Sequence, residues 1–276
     1  MPELPEVETI CNGIRPHIQH KMIREVIVRE SQLRWKIPAD FAALITELTV
    51  DSVSRRGKYC LLKTASGSII LHLGMSGSLR IVNLQTPVTA HDHVDFVFND
   101  NTVLRFNDPR KFGAVLWGEG DVYTHKLLIN LGPEPLTVDF TGDYLYQRAA
   151  KRRKAIKNFI MDGHIVVGVG NIYASESLFS AGIHPTCPAG QVSLADYQKL
   201  VSVIKDVLQR AIEQGGTTLK DFVNESGNPG YFSQSLLVYG RAGQPCYQCQ
   251  TLIEQITLAQ RASYFCPNCQ PALVSH

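Results

Sequence analysis

The spacing of the apolar residues changes once along this chain, and that change sets the fold class. Between Ile23 and about Trp117 the apolar residues fall in short β-rich runs: Arg24–Arg29, Ser52–Ser54, Tyr59–Lys63, Ser68–Leu73, Ser78–Val82, His93–Phe98, Thr102–Phe106 and Gly113–Trp117. Turn-forming residues separate them, at Ser66-Gly67, Gly74, Asn99-Asp100-Asn101 and Asp108-Pro109. So many short strands in one stretch predict a β-sandwich or barrel. Leu131-Gly-Pro-Glu-Pro135 ends the pattern, and beyond it the spacing is helical. Leu194, Tyr197, Leu200, Val201, Ile204, Val207, Leu208, Ala211 and Ile212 form a long stripe that opens at a capping-box-like Ser193-Leu-Ala-Asp196 and stops at Gly215-Gly216. A shorter helix is expected at the start, where Val7, Ile10, Ile14 and Ile18 follow Pro5. Strands first and helices later predict an α+β fold.

Size and composition narrow the class. At 276 residues the expectation is two domains with a small appendage, and an apolar fraction of 44% excludes a disordered chain. Apolar runs such as Ser68–Leu73 and Ile165–Val169 fall far short of the ~20 residues that span a bilayer. The opening MPELPEVET has three glutamates and no basic segment, unlike a secretory signal, so a cytoplasmic location is expected. The net charge of +2 identifies no partner. The local pattern is sharper: Arg148, Lys151, Arg152, Arg153, Lys154 and Lys157 make six of ten residues basic with no acid among them. By itself that reads as a solvated helix face.

Four of the seven cysteines form Cys246-x2-Cys249 and Cys266-x2-Cys269, with 16 residues between the pairs. Two such knuckles on a hairpin supply four thiolates to one tetrahedral ion and leave no open position, which makes the expected site a structural Zn²⁺ rather than a catalytic one. Cys11, Cys60 and Cys187 stand alone and read as reduced, buried thiols.

Two further segments carry chemistry. Loss of Met1 would leave Pro2 as a terminal secondary amine, able to attack an electrophilic carbon and form an iminium ion. An α-amino group, with a pKa of about 8, keeps a useful neutral fraction near neutral pH, which a lysine does not. Glu3 and Glu6 offer carboxylates beside it. Gly168-Val-Gly170-Asn171 precedes a helix expected to run from Ile172 to Ala181 and to stop at Gly182. Glycines there permit close approach of a phosphate to a helix N-terminus, with Asn171 donating a side-chain bond; the alternative is a plain turn with Asn171 as N-cap.

The opening PELPEVET, the HLGMSG and DPRKFG segments, the GVGNIYASE stretch and the terminal cysteine pairs occur together and in order. On these motifs the sequence closely resembles bacterial formamidopyrimidine-DNA glycosylase, a base-excision enzyme for oxidised purines, from Pro2 to about Gln270. The resemblance implies an N-terminal β-sandwich flanked by helices over 1–133, a helix-two-turns-helix domain over 134–232 and a zinc-finger hairpin over 237–270, with DNA in the cleft between the main domains. It implies that Pro2 attacks C1′ of the damaged nucleotide, that Glu3 relays protons, and that Lys58 and Arg261 contact phosphate and assist the β- and δ-eliminations. His72, His91, Asn171 and Tyr239 match further phosphate contacts, and the 148–157 basic cluster, Lys151 and Arg152 within it, gains a DNA-facing role. Met75, Arg110 and Phe112 match residues that fill the gap left by a flipped base, although spacing alone would assign Met75 and Phe112 to a core. Glu6, Thr217 and Asp221 are the expected lesion contacts.

The implied partner is double-stranded DNA holding an oxidised purine or an abasic site, met by a monomer with no membrane role, in the nucleoid of a bacterial cytoplasm. Two other readings stand beside it. One is an endonuclease VIII-like enzyme for oxidised pyrimidines, against which PELPEVET, the Met75, Arg110 and Phe112 set and the long 215–232 loop argue. The other is a non-catalytic zinc-finger DNA-binding protein, which needs no free terminal amine.

Overall fold

The computed structural model describes residues 2–216 and 236–272. These divide into two compact units, one of residues 2–130 with 214–216 and one of residues 131–213 with 236–272.

The first unit opens with α1 (Leu4–Ile18). Glu3 caps it through a reciprocal box: its carboxylate accepts from the Glu6 amide, and Glu6 Oε2 accepts from the Glu3 amide at 2.9 Å. This satisfies backbone donors that a helix start otherwise leaves open. The helix buries Leu4, Val7, Ile10, Cys11, Ile14 and Ile18. Then come β1 (Ile23–Val28), a short α2 (Phe41–Ile45), β2 (Ser52–Arg56), β3 (Tyr59–Lys63), β4 (Gly67–His72), β5 (Ser78–Asn83), β6 (Asp92–Phe98), β7 (Thr102–Asn107) and β8 (Ala114–Glu119). They form two four-stranded antiparallel sheets, ordered β1-β6-β7-β5 and β2-β3-β4-β8. Leu62, Ile69 and Leu71 of one sheet share a single core with Phe96, Phe98, Leu104 and Phe106 of the other and with Ile10 and Ile14 of α1. Sandwich, not barrel, is the outcome.

Not every buried group in this unit is apolar. Arg105 grips Asp95 with two parallel bonds, Nε to Oδ1 and Nη2 to Oδ2, both 2.9 Å. Arg29 reaches the same carboxylate at 2.7 Å, and Arg80 reaches the neighbouring Asp92 at 2.8 Å. Burial disfavours the charged form of Asp95, but the arginine bonds outweigh it and hold its carboxyl below the usual range. Asp92 is also lowered: burial opposes ionisation, and bonds from Thr89, Asn107 and Arg80 overcome it.

In the second unit, α3 (Gly142–Ala149) is capped by Thr141, whose hydroxyl accepts from the Tyr144 amide at 3.1 Å. α4 (Ile156–Ile160) leads through two turns to α5 (Asn171–Ala181), and Gly182, at φ +77°, closes α5 in the left-handed region that suits glycine. α6 (Leu194–Glu213) starts at the expected Ser193, whose hydroxyl accepts from the Asp196 amide at 3.1 Å. A hairpin of β9 (Glu254–Leu258) and β10 (Arg261–Phe265) follows.

Arg105→Met strips the paired carboxylates of a buried partner and should lower unfolding stability by about 3–5 kcal/mol, read as a lower denaturant midpoint. The lowered pKa values fix the pH sign. The unfolded carboxyls titrate near pH 4, so the stabilisation is present above that and is lost as pH falls through the folded values. Acid should therefore lower the midpoint of the parent chain more steeply than that of Arg105→Met.

Candidate active site and metal centre

At the start of the first unit Pro2 is buried immediately ahead of Glu3 and Glu6, which are 3% and 1% exposed. Gly216, at φ +82°, passes close by: a Cβ there would meet Glu6 Oε1 at 3.1 Å. Lys58 is the second residue of a two-residue hairpin turn between β2 and β3, after Gly57 at φ +57°. A glycine first in such a turn matches the right-handed twist of the strands it joins. Thr217 and Asp221 lie outside the described residues.

His72 ends β4. Its Nδ1 accepts from the Gly74 amide at 3.1 Å, and its ring lies 4.9 Å from that of Tyr59. Burial, with Lys58 and Arg34 nearby, lowers its pKa to about 4. The ring is therefore neutral at neutral pH, and with Nδ1 accepting, the proton sits on Nε2, a single neutral donor. His91 is exposed, and its carbonyl accepts from the Asp108 amide at 3.0 Å.

Beyond His72, Met75 is 39% exposed and Phe112 is 45% exposed, so neither belongs to a core. The Arg110 guanidinium lies over the Phe112 ring, 5.0 Å from its centre. Arg34, His72, Gly74, Met75, Lys111 and Phe112 line one cavity of about 520 Å³. Arg34 had no distinguishing motif in the sequence. Lys111 is ion-paired with Glu30.

The second unit holds its polar residues by a different device. Asn171 does not cap its helix. Gly170 is the N-cap, and the Asn171 amide is locked from both sides: Oδ1 accepts from Lys157 Nζ at 2.7 Å, and Nδ2 donates to the Ala262 carbonyl at 3.0 Å. The plain-turn alternative with an Asn171 cap is thereby excluded. Lys157 also corrects the reading of the basic stretch as a solvated or DNA-facing set. It is 1% exposed, and its ammonium donates to Asn171, to the Ala262 carbonyl at 3.0 Å and to Ser263 Oγ at 2.7 Å. The signal was present in its neighbours, since Ile156, Phe159 and Ile160 give that segment an apolar face. Lys154 pairs with Asp162, and Arg152 donates to the Arg148 carbonyl while remaining exposed, as is Lys151.

Glu176, the last residue of the GVGNIYASE stretch, is a second organiser to which the sequence reading assigns no role. From α5 its carboxylate accepts from the amides of Leu237, Val238 and Tyr239 at 2.8, 3.0 and 2.8 Å. Burial raises its pKa, against the pull of those bonds and of Arg241. Tyr239 then packs edge-on against Tyr264, with ring centres 5.0 Å apart.

Arg261 is exposed at the first position of β10. The turn before it, Ala259-Gln260, has φ +45° and +62° without a glycine, a conformation costing roughly 1–2 kcal/mol per residue. Below it the sulfur ligand atoms of Cys246, Cys249, Cys266 and Cys269 lie within 4.8 Å of one another, with individual separations of 3.9, 3.4 and 3.5 Å. Thiolates at about 2.3 Å from one tetrahedral ion sit about 3.8 Å apart. The donor set fits one structural zinc ion. The remaining thiols, Cys11, Cys60 and Cys187, are buried and unbridged.

Comparison with known proteins agrees over the whole length. Residues 1–115 match the formamidopyrimidine-DNA glycosylase N-terminal domain, residues 131–223 the formamidopyrimidine-DNA glycosylase H2TH domain, and residues 243–272 a zinc finger found in FPG and IleRS. The formamidopyrimidine-DNA glycosylase of Syntrophotalea carbinolica is 56% identical over 270 residues, which are 98% of this chain and all of that protein. A Lactococcus lactis Fpg complex with abasic-site DNA superposes with a TM-score of 0.90 at 32% identity, covering 98% of this chain and 100% of the other. A complex of a mutant of the same protein with Fapy-dG-containing DNA gives 0.91, with the same identity and coverage. A sandwich begun by a capped Pro2-Glu3 helix, an H2TH turn that locks Asn171 and a four-thiolate hairpin are thus one inherited arrangement, and the chain belongs to the formamidopyrimidine-DNA glycosylase family.

Proposed function

We propose that this protein removes oxidised purines from duplex DNA and then cleaves the strand at the resulting abasic site, with Pro2 as the nucleophile. Family membership along the whole chain, with all three segments in order, carries the reaction class. The residues support the steps. The base must leave the stack before any side chain can reach its sugar, at a cost of a few kcal/mol. Met75 and Phe112 fill the gap, and the guanidinium of Arg110 pairs with the orphan cytosine. The unprotonated Pro2 amine attacks C1′; the new N–C bond forms as the glycosidic bond breaks, and the base leaves with a proton relayed by Glu3. The C1′–O4′ bond of the sugar then breaks. The Pro2 nitrogen, having lost its proton, shares its lone pair with C1′ to form the iminium, and O4′ takes a proton relayed by Glu3. The iminium acidifies the C2′ proton. Its removal expels the 3′ phosphate, and a second elimination expels the 5′ phosphate, with Lys58 and Arg261 assisting at the phosphates.

Phosphate binding draws on His72, His91, Lys151, Arg152, Asn171 and Tyr239. The neutral Nε2–H of His72 makes that contact independent of pH above about 5. Asn171, with one Nδ2 hydrogen on Ala262, keeps the other for a phosphate oxygen. Glu6, with Thr217 and Asp221, is assigned to the lesion. The expected assignments of 1–133 to catalysis, 134–232 to helix-two-turns-helix binding and 237–270 to the zinc finger follow the same division of labour. Among the described residues no helix is long and apolar enough to cross a membrane, and the relatives are bacterial. The proposed place of action is the bacterial nucleoid, as a monomer.

Borohydride reduction of the imine tests the nucleophile. The trimmed chain should trap on duplex DNA with 8-oxoguanine opposite cytosine and trap poorly on thymine glycol. Acetylating the terminal amine, or retaining Met1, should abolish trapping while DNA binding persists. Trapping that survived the block would make a lysine such as Lys58 the nucleophile. Cys249→Ser tests the metal site: zinc content and DNA affinity should fall together, affinity by about tenfold or more, because the ion holds the hairpin that carries Arg261. Full affinity in zinc-free protein would contradict that link.

A further inference from the structure

We propose that Asp108 is a positioning residue that sets the geometry of the gap-filling side chains, with Ser76 as its link across two turns. This rests on the reading of Met75, Arg110 and Phe112 as the residues that replace a flipped base.

The three side chains come from separate turns. Met75 lies between β4 and β5, and Arg110 and Phe112 lie between β7 and β8. Side chains this exposed gain little order from packing, so something in the backbone must hold them in register. Asp108 is fully buried at 0% exposure, and among the described residues no arginine, lysine or histidine forms a salt bridge to its carboxylate. A buried carboxylate without a counter-charge is costly unless hydrogen bonds satisfy it. Here the donors come from both turns. Ser76 Oγ donates to Oδ1 at 3.0 Å, the Arg110 amide donates to Oδ1 at 3.3 Å, and the Gly113 amide donates to Oδ2 at 2.7 Å. One carboxylate therefore reads the position of the residue after Met75, of Arg110 itself and of the residue after Phe112.

The main chain of Asp108 is anchored as well. Its amide donates to the His91 carbonyl at 3.0 Å, and its carbonyl faces His93 Nε2 at 2.7 Å. Since a carbonyl only accepts, that nitrogen carries the ring proton. The two turns also touch directly. Gly74 sits at φ +62°, and a Cβ there would meet Gly113 N and the Phe112 carbonyl carbon at 2.5 Å each. The turns thus meet backbone to backbone, with Asp108 as the clasp. A wedge arranged in advance avoids the ordering cost at the moment the base leaves, which is when the enzyme must offset unstacking.

The test separates positioning from general stability by using two substrates. Excision of 8-oxoguanine opposite cytosine in a duplex needs the gap filled. Strand cleavage at an abasic site in single-stranded DNA has no orphan base and no gap. Ser76→Ala removes only the cross-turn bond, and Asp108→Asn puts an amide group where donors already point. Both should lose about tenfold or more on the duplex lesion, equal to roughly 1.4 kcal/mol of barrier, and less than about twofold on the single strand. Ser76→Thr, which keeps the hydroxyl, should restore the duplex rate. Thermal melting accompanies each variant, and if Asp108→Asn fails to fold, Ser76→Ala decides. Arg110→Ala and Phe112→Ala are measured alongside. If these split the two substrates but the Ser76 and Asp108 variants do not, the inference is overturned while the gap-filling reading stands. If they do not split the substrates, the gap-filling reading fails and the inference falls with it.

Discussion

A chain terminus frays unless the fold ties it down, and the proposed chemistry places its reactive nitrogen at the terminus. The tie is the start of α1. Glu3 and Glu6 exchange backbone and carboxylate bonds, so the first helical turn is closed by the residues next to Pro2. The helix continues into the sandwich core through Val7, Ile10 and Ile14, which have almost no exposed surface. The nitrogen that the proposed chemistry uses is thus held next to a rigid element rather than on a loose end. The two carboxylates do double duty: they complete the cap, and they are the acids nearest the amine in sequence. Gly216 adds the approach of a second segment to Glu6 that a side chain would obstruct.

Much of this was legible in the residues. Strand and helix periods differ enough that the sandwich and the long α6 stripe stood out, and Gly182 and Ser193 marked helix ends through local backbone chemistry. The cysteine spacing announced its site because metal geometry leaves few ways to use two such pairs. The choice of sandwich over barrel was not legible from spacing, because strand pairing is set by partners far apart in sequence. Met75 and Phe112 were legible only through the family motifs, since an apolar residue carries no mark of being left exposed. Lys157, Glu176 and Asp108 were misread or passed over for one reason: a charged residue reads as surface until the groups that satisfy it are known, and those groups are mostly backbone. Lys157 finds its partners 14 to 106 positions away.

The three buried charges share a design. Each satisfies its lone pairs or protons with groups distant in sequence or from separate turns, and so ties those segments together. Glu176 collects three consecutive amides ahead of the hairpin, Asp108 spans two turns, and Lys157 ties Asn171 to β10. Buried charges contribute little net stability by themselves, but losing one leaves several polar groups unsatisfied at once. That penalises alternative arrangements of exposed loops, where apolar packing has little hold. The strained Ala259-Gln260 turn sits at the end of the same chain of connections, one residue from Arg261 and three from Ser263.

The bond from Lys157 to the Ala262 carbonyl also bears on how the protein is made. The partners are 105 residues apart. On a ribosome the sandwich emerges first and can fold by itself, because domains generally fold as units from the N-terminus. The Asn171 amide, by contrast, stays unlocked until the hairpin has left the exit tunnel. A nascent chain can therefore assemble its first helix well before the H2TH turn is set. Competence for its nucleic-acid partner is thus acquired late, together with the last metal ligands rather than piecemeal as each helix forms.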